Sequence, residues 1–302
     1  MKTISKTNLF YVIVAVISLI SAGTFYFSGA KYDSTAGIIL AIFYMFIPTI
    51  SVLIIEKLIY KEAIKKKLLI SFRINKWFVV AWLITPVIAF VAMGIALLFP
   101  DVSFSPGMEG MFDRFESILT PDQMREMKES MEIMPFHPIW IALIQGLFAG
   151  ITINAVAGFG EELGWRGFLV RRFENQKFMK AALIIGLVWG IWHSPLILMG
   201  HNYPTYPVFG VLMMIVWCIL LSPLFLYITI KAKSVIAAAI MHGTLNGTIG
   251  ISIMTLKGGN ELMIGSTGLA GFIALSVITL LFLLYDKYIS KEDIFFKNID
   301  LK

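Results

Sequence analysis

The chain has 302 residues, 58% hydrophobic and only 15% charged, with a net charge of +6, whereas soluble domains run nearer about 45–50% apolar and about 25% charged. The apolar residues fall into blocks of the roughly 20 residues an α-helix needs to cross about 30 Å of hydrocarbon. This excludes a soluble globule and predicts an all-α polytopic membrane protein of about eight transmembrane helices. A single cysteine, Cys218, also excludes an internal disulfide and a cysteine-based zinc knuckle.

Spans are predicted over 9–28, 36–56, 77–99, 139–162, 180–199, 207–230, 234–255 and 267–285. The first has a leader-like start, with Lys2 and Lys6 ahead of an apolar run. Seven further spans make it a retained helix. The segment 56–76 holds seven basic residues, 171–180 four and 231–233 two, while each loop after spans one, five and seven carries at most one. Basic residues collect on the cytoplasmic side. The reading is a multi-pass cell-membrane protein with both termini cytoplasmic and with the lipid bilayer, not nucleic acid, as the partner of its positive charge.

The segment 100–137 is acidic, with eight carboxylates against three basic residues, and is expected outside. Within it, "TPDQMREMKESMEIM" (120–134) has a threonine placed to cap a helix and Pro121 at the first helical position. It reads as an amphipathic helix over the external mouth or, with more weight, as a solvated loop. His137 and His201 are expected to be ordinary surface residues of external loops. The tail 286–302 is expected to fray. The whole chain, 1–302, reads as one membrane domain.

Ionisable groups inside spans cost about 2.5–3.5 kcal/mol each on the insertion scale, so each needs a reason. They are few: Glu161, Glu162 and Arg166 near the end of the fourth span, His193 in the fifth, and His242 with Asn246 in the seventh. Glu162 and Arg166 stand i,i+4 in the order that favours an ion pair. Glu161, about 100° round the helix, is left free for chemistry. At about 1.5 Å per residue, His193 lies roughly 20 Å, His242 roughly 12 Å and Asn246 roughly 18 Å in from the cytoplasmic ends of their spans. A shared cavity open to the cytoplasm is expected. Glu161 falls near the interface unless its helix runs on to about residue 172. Gly186 and Gly190 form a GxxxG suited to close helix approach. Gly158, Gly160, Gly164 and Gly167 have room to admit a substrate backbone, and Pro195 should kink the fifth helix one turn earlier.

The stretches "EELGWRG", "WGIWH" and "HGTLN" resemble the EExxxR, FxxxH and HxxxN motifs of the CPBP family of intramembrane endopeptidases, which includes type II CAAX prenyl proteases and bacteriocin-processing, immunity and abortive-infection-like proteins. The resemblance covers about 139–256, the expected catalytic core. It implies hydrolysis of a peptide bond near the cytoplasmic membrane face by a water that Glu161 and His193 hold and activate. It further implies oxyanion donation by His242 and Asn246, support from Glu162 and Arg166, and a peptide or protein substrate that is lipid-modified in some members. Trp189 stands where the pattern has Phe, and a modest change in packing is expected.

The residues by themselves leave other readings open. One glutamate and two histidines are possible zinc ligands, although no HExxH helix seats a metal, and the resemblance favours a metal-free reaction with no cofactor. His193 and His242 also fit interhelical hydrogen bonding, and Asn246 the satisfaction of a neighbouring carbonyl. A proton-coupled secondary transporter would use the same buried groups, but transporters tend to place broken helices in both halves, and here the polar residues all lie in the second. A catalytically idle immunity or scaffold protein is the third reading.

Overall fold

The computed structural model describes residues 5–115 and 120–301; Lys2 lies outside them. Each early helix starts on a side chain that satisfies an otherwise orphaned backbone N–H. Ser5 caps α1 (Lys6–Phe27), Ser34 caps α2 (Thr35–Leu53) and Asn75 caps α3 (Lys76–Ala96). A wide π-type turn prolongs α2 to Ile59. After the short strand β1 (Ser103–Phe104) come α4 (Glu109–Phe115) and α5 (Pro121–Glu132). Thr120 and Gln123 satisfy each other's backbone N–H at the start of α5, a capping box, so the helical alternative for this segment holds and the solvated loop does not.

The fourth crossing differs from the uniform helix expected over 139–162. It is a pair, α6 (Pro138–Ile151) and α7 (Ile153–Glu162), bent by 54°. The joint is Thr152, whose backbone leaves the helical region while its hydroxyl donates to Phe148 O at 2.8 Å. From Glu162 the chain runs through a wide turn, Leu163–Leu169, into α8 (Val170–Arg172). The continuation to Arg172 is the longer-helix alternative, and it leaves Glu161 buried inside the bundle.

The fifth crossing is α9 (Phe178–Trp192) and α10 (Ser194–Leu198), broken at His193 rather than a turn before Pro195. Then follow α11 (Pro207–Ala232), α12 (Val235–Thr248), α13 (Ile251–Met254), β2 (Leu256–Lys257), which pairs with β1, and α14 (Leu269–Leu284). Among the described residues, seven helices are long and apolar enough to cross a membrane, or eight when the bent pair is counted as one span. Exposed Leu19, Ile20, Ile144, Phe148, Leu280 and Leu281 line outward faces, as lipid requires. The chain is an all-α multi-pass membrane protein.

Small residues set the helix spacing. A Cβ on Gly186 or Gly190 would meet the α11 backbone at 2.7 and 2.5 Å, and one on Gly243 the α7 backbone at 2.5 Å. Gly158 faces α12, Gly160 and Gly164 face α2, and Gly167 faces Leu68. These four therefore pack helices and do not line a path for substrate.

The tail does not fray. Asp286, buried, accepts from Tyr227 Oη (3.2 Å) and Phe295 N (3.3 Å), and Phe295 stacks on Tyr227. Ile299 is also buried, and its N–H reaches Gln176 O at 2.9 Å. Phe295 and Ile299, with backbone pairing of 297–299 to 175–178, dock the segment.

Candidate active site

The end of α7 and the break after α9 bring Glu161 and His193 to one cavity of about 260 Å³. Glu161, His193, His242 and Asn246 all line it, together with Tyr44, Trp189, Trp192 and Trp217. Four residues picked from three separate stretches of sequence are thus neighbours in space. Glu162 and Arg166 do not line it; they lie directly behind the wall, and Asn246 makes its approach from the exposed side of α12.

Glu161 is 2% exposed and is not free. Trp189 Nε1 donates to its Oε2 at 2.7 Å, and Trp165 Nε1 stands 3.4 Å from the same oxygen. A buried carboxylate needs such donors, because desolvation without them costs several kcal/mol, of the order of 2–7 even for a neutral group. The expectation of a mere packing change at Trp189 therefore falls short. A phenyl ring there would supply no N–H. The sequence signal existed, since indole is the one large aromatic with a ring donor, but nothing in the spacing tells where that donor points.

Trp189 also holds His193. At the helix break, the His193 backbone N–H bonds to Gly190 O at 3.2 Å, one residue short of the α-helical partner. The carbonyl of Trp189 is instead 2.8 Å from His193 Nδ1. A carbonyl only accepts, so Nδ1 carries the proton and Nε2 of the neutral ring is left as an acceptor. One residue thus orients the acid through its side chain and the imidazole through its backbone.

His242 is the third party. Its Nδ1 lies 2.8 Å from Glu162 Oε1, and its Nε2 lies 3.7 Å from Glu161 Oε1. The first is a hydrogen bond; the second is too long for one. Glu162 also takes Arg166 Nη1 at 3.1–3.2 Å, which is the ion pair expected from the i,i+4 spacing. Arg166 is fully buried with its guanidinium between the rings of Trp189 (4.3 Å) and Phe225 (4.5 Å), a geometry that adds cation–π attraction. The pair does more than scaffold, because through Glu162 it fixes the ring of His242.

Among the described residues, no three His, Cys, Asp or Glu side chains converge as a metal ion would require. The ring nitrogens His193 Nδ1 and His242 Nδ1 are already engaged by the Trp189 carbonyl and Glu162.

His201 departs from its expected place on the surface. It lines the cavity with Asn202, accepts or donates at Nδ1 to Tyr32 Oη at 3.0 Å, and burial holds its imidazole down to about 4. His137 caps α6 by accepting from Ile139 N at 3.2 Å. No described residue of 100–137 lines the cavity, so α5 does not cover its mouth. The cavity wall reaches His201 and Asn202, at the end of the bundle opposite the one where α1 begins and the tail docks.

Residues 135–248 match the family model described as type II CAAX prenyl endopeptidase Rce1-like. This range includes α6 to α12 and all four cavity residues singled out above. The chain is also similar to a CAAX prenyl protease 2 of Methanococcus maripaludis, 31% identical over 137 residues, which is 42% of this chain and 46% of the relative. The chain thus matches about half the length of that curated relative.

Proposed function

We propose, on the premise that residues 135–248 form a domain of the Rce1-like type II CAAX prenyl endopeptidase family, that the chain is an intramembrane endopeptidase. The whole chain is one cell-membrane domain with 139–256 as its catalytic core and both termini cytoplasmic. Its partner is a peptide or protein substrate and not nucleic acid, because the basic residues sit in loops flanking the spans. A lipid on the substrate would concentrate it at the bilayer, and cleavage of lipidated against bare peptides measures that contribution.

In this reading a water is held between Glu161 and the acceptor Nε2 of His193. Glu161 takes its proton as the hydroxide attacks the carbonyl carbon, and general-base action of this kind is worth about 10²–10⁴ in rate. The oxyanion of the tetrahedral intermediate accepts from the amide of Asn246 and from Nε2 of His242. His242 donates from both nitrogens as the imidazolium, with Glu162 on Nδ1. Preformed donors of this kind are worth about 10²–10³ each. Glu161 then passes its proton to the leaving amine as the C–N bond breaks. Glu162 and Arg166 are positioning residues, acting through His242. The reaction uses no metal or other cofactor.

The observation that carries the reading is the double hold of Trp189 on Glu161 and His193 within a cavity shared with His242 and Asn246. The test is cleavage of an internally quenched peptide library by the protein in detergent. Glu161→Gln should lose cleavage by at least about 10²-fold with its unfolding temperature kept within a few degrees. Retained cleavage refutes the assignment. Substrate-driven proton flux in liposomes without cleavage would favour the transporter, and neither activity the idle scaffold.

A further inference from the structure

The two ends of the bundle differ in charge, and only one gives access to the cavity. At one end, Lys6 pairs with Glu62 (3.2 Å), Asn75 Nδ2 donates to Ala232 O (3.0 Å), Val235 N to Leu69 O (2.9 Å), and the tail docks beside Gln176. At the other end, Tyr32 meets His201, the Thr205 and Tyr206 N–H groups reach Glu261 at 2.9 and 2.8 Å, and Tyr203 Oη donates to Thr267 O.

The cavity belongs to the second end. From Glu161 and His242 its wall climbs through Leu196 and Ile249 to His201 and Asn202. No residue of the loops at the first end lines it. Towards that first end the way is filled by Trp165, Phe168, Leu169, Phe225 and Tyr227, all fully buried.

Charge assigns the sides. The first end carries the seven basic residues of 56–76, the four of 171–180 and the two of 231–233. The second end carries Lys31 and Lys257 in its short loops, and the acidic 100–137. Basic residues in short loops stay in the cytoplasm, so the first end is cytoplasmic.

We infer that the site opens away from the cytoplasm and that its substrate is a peptide presented from the outer face: an exported peptide, or the outer flank of a membrane-anchored protein, and not a cytoplasmic C-terminal tail. The inference rests on the proposed endopeptidase reading for the word substrate; the sidedness does not. The aromatic wall of Tyr44, Trp192 and Trp217, with Met214, suits apolar side chains next to the scissile bond.

Cysteine labelling of full-length protein in intact cells tests it. Cys218 is the single cysteine and is buried, so Cys218→Ser gives a blank background. Onto it go Asn202→Cys at the mouth, Lys31→Cys in the neighbouring loop and Lys65→Cys at the opposite end, all three positions exposed. A charged, membrane-impermeant maleimide should label Asn202→Cys and Lys31→Cys in intact cells at least tenfold more than Lys65→Cys, which should be labelled after permeabilisation. Labelling of the first two only after permeabilisation, or of Lys65→Cys in intact cells, overturns the inference. In parallel, an impermeant quenched peptide added to intact cells should be cut by the wild type and not by Glu161→Gln. Outward labelling without any cleavage would sink the endopeptidase reading and leave the sidedness standing. Inward labelling with cleavage in detergent would do the reverse.

Discussion

Trp189→Phe is the most informative substitution. It keeps a ring of similar shape beneath Arg166, whose guanidinium lies 4.3 Å from the indole centroid, and keeps the backbone carbonyl that orients His193. What it removes is the N–H that stands 2.7 Å from Glu161. A hydrogen bond to a charged group contributes about 1.5–3 kcal/mol, and at about 1.36 kcal/mol per factor of ten its loss should lower kcat/KM by about 10- to 100-fold. Most of the loss should fall on kcat if the indole positions the base and not the substrate. Trp165→Phe removes a donor at 3.4 Å and should cost several-fold less. The assay is peptide cleavage in detergent, read beside thermal unfolding. Equal activity of Trp189→Phe and wild type would refute the reasoning, since Glu161 would then owe its place to something other than the indole. A Trp165→Phe effect larger than that of Trp189→Phe would refute it too.

Four further outcomes are expected. Arg166→Met takes the guanidinium from buried Glu162, leaving it His242 alone, and should destabilise the protein by up to about 3–5 kcal/mol; adding Glu162→Gln should recover part of this in a thermal double-mutant cycle. Gly243→Val would drive a side chain into the α7 backbone, which a Cβ already meets at 2.5 Å, and should separate α7 from α12 and abolish cleavage. Excess chelator should leave the cleavage rate within twofold, and a loss restored by zinc would reinstate the metal alternative. His201 has an ordinary value near 6.5 and is held down to about 4 by burial, so the unfolded chain takes up its proton first. Stability should therefore fall as pH drops from about 6.5 towards 4, and His201→Gln should flatten that part of the unfolding-temperature profile.

The spans are legible because apolar blocks of membrane length seldom form anything but a membrane helix, and the polar candidates because charge inside a span is costly. Helical spacing alone foretells Glu162–Arg166. What stays hidden depends on contacts between distant elements. Nothing local marks Thr152 as a joint, since threonine is tolerated inside many membrane helices. The lipid-facing and helix-facing sides of Gly160 or Gly164 cannot be told apart until α2 is in place. Counting depth from one end places His193 and Asn246 at similar levels, roughly 20 and 18 Å in, but does not reveal that the cavity wall runs on to His201 and Asn202. The tail misleads because its charges outnumber Phe295 and Ile299, two side chains that matter more than their frequency.

The docked tail has a bearing on how the molecule is made. Phe295 rests on Phe178, across 117 positions of chain, and Ile299 reaches Gln176. Neither contact can form while residues 295–299 are still in the ribosome's exit tunnel. The bracing of α9, which carries Trp189 and leads into His193, is thus completed only once residues 295–299 have emerged, so the cavity wall that α9 supplies settles late in the making of the fold.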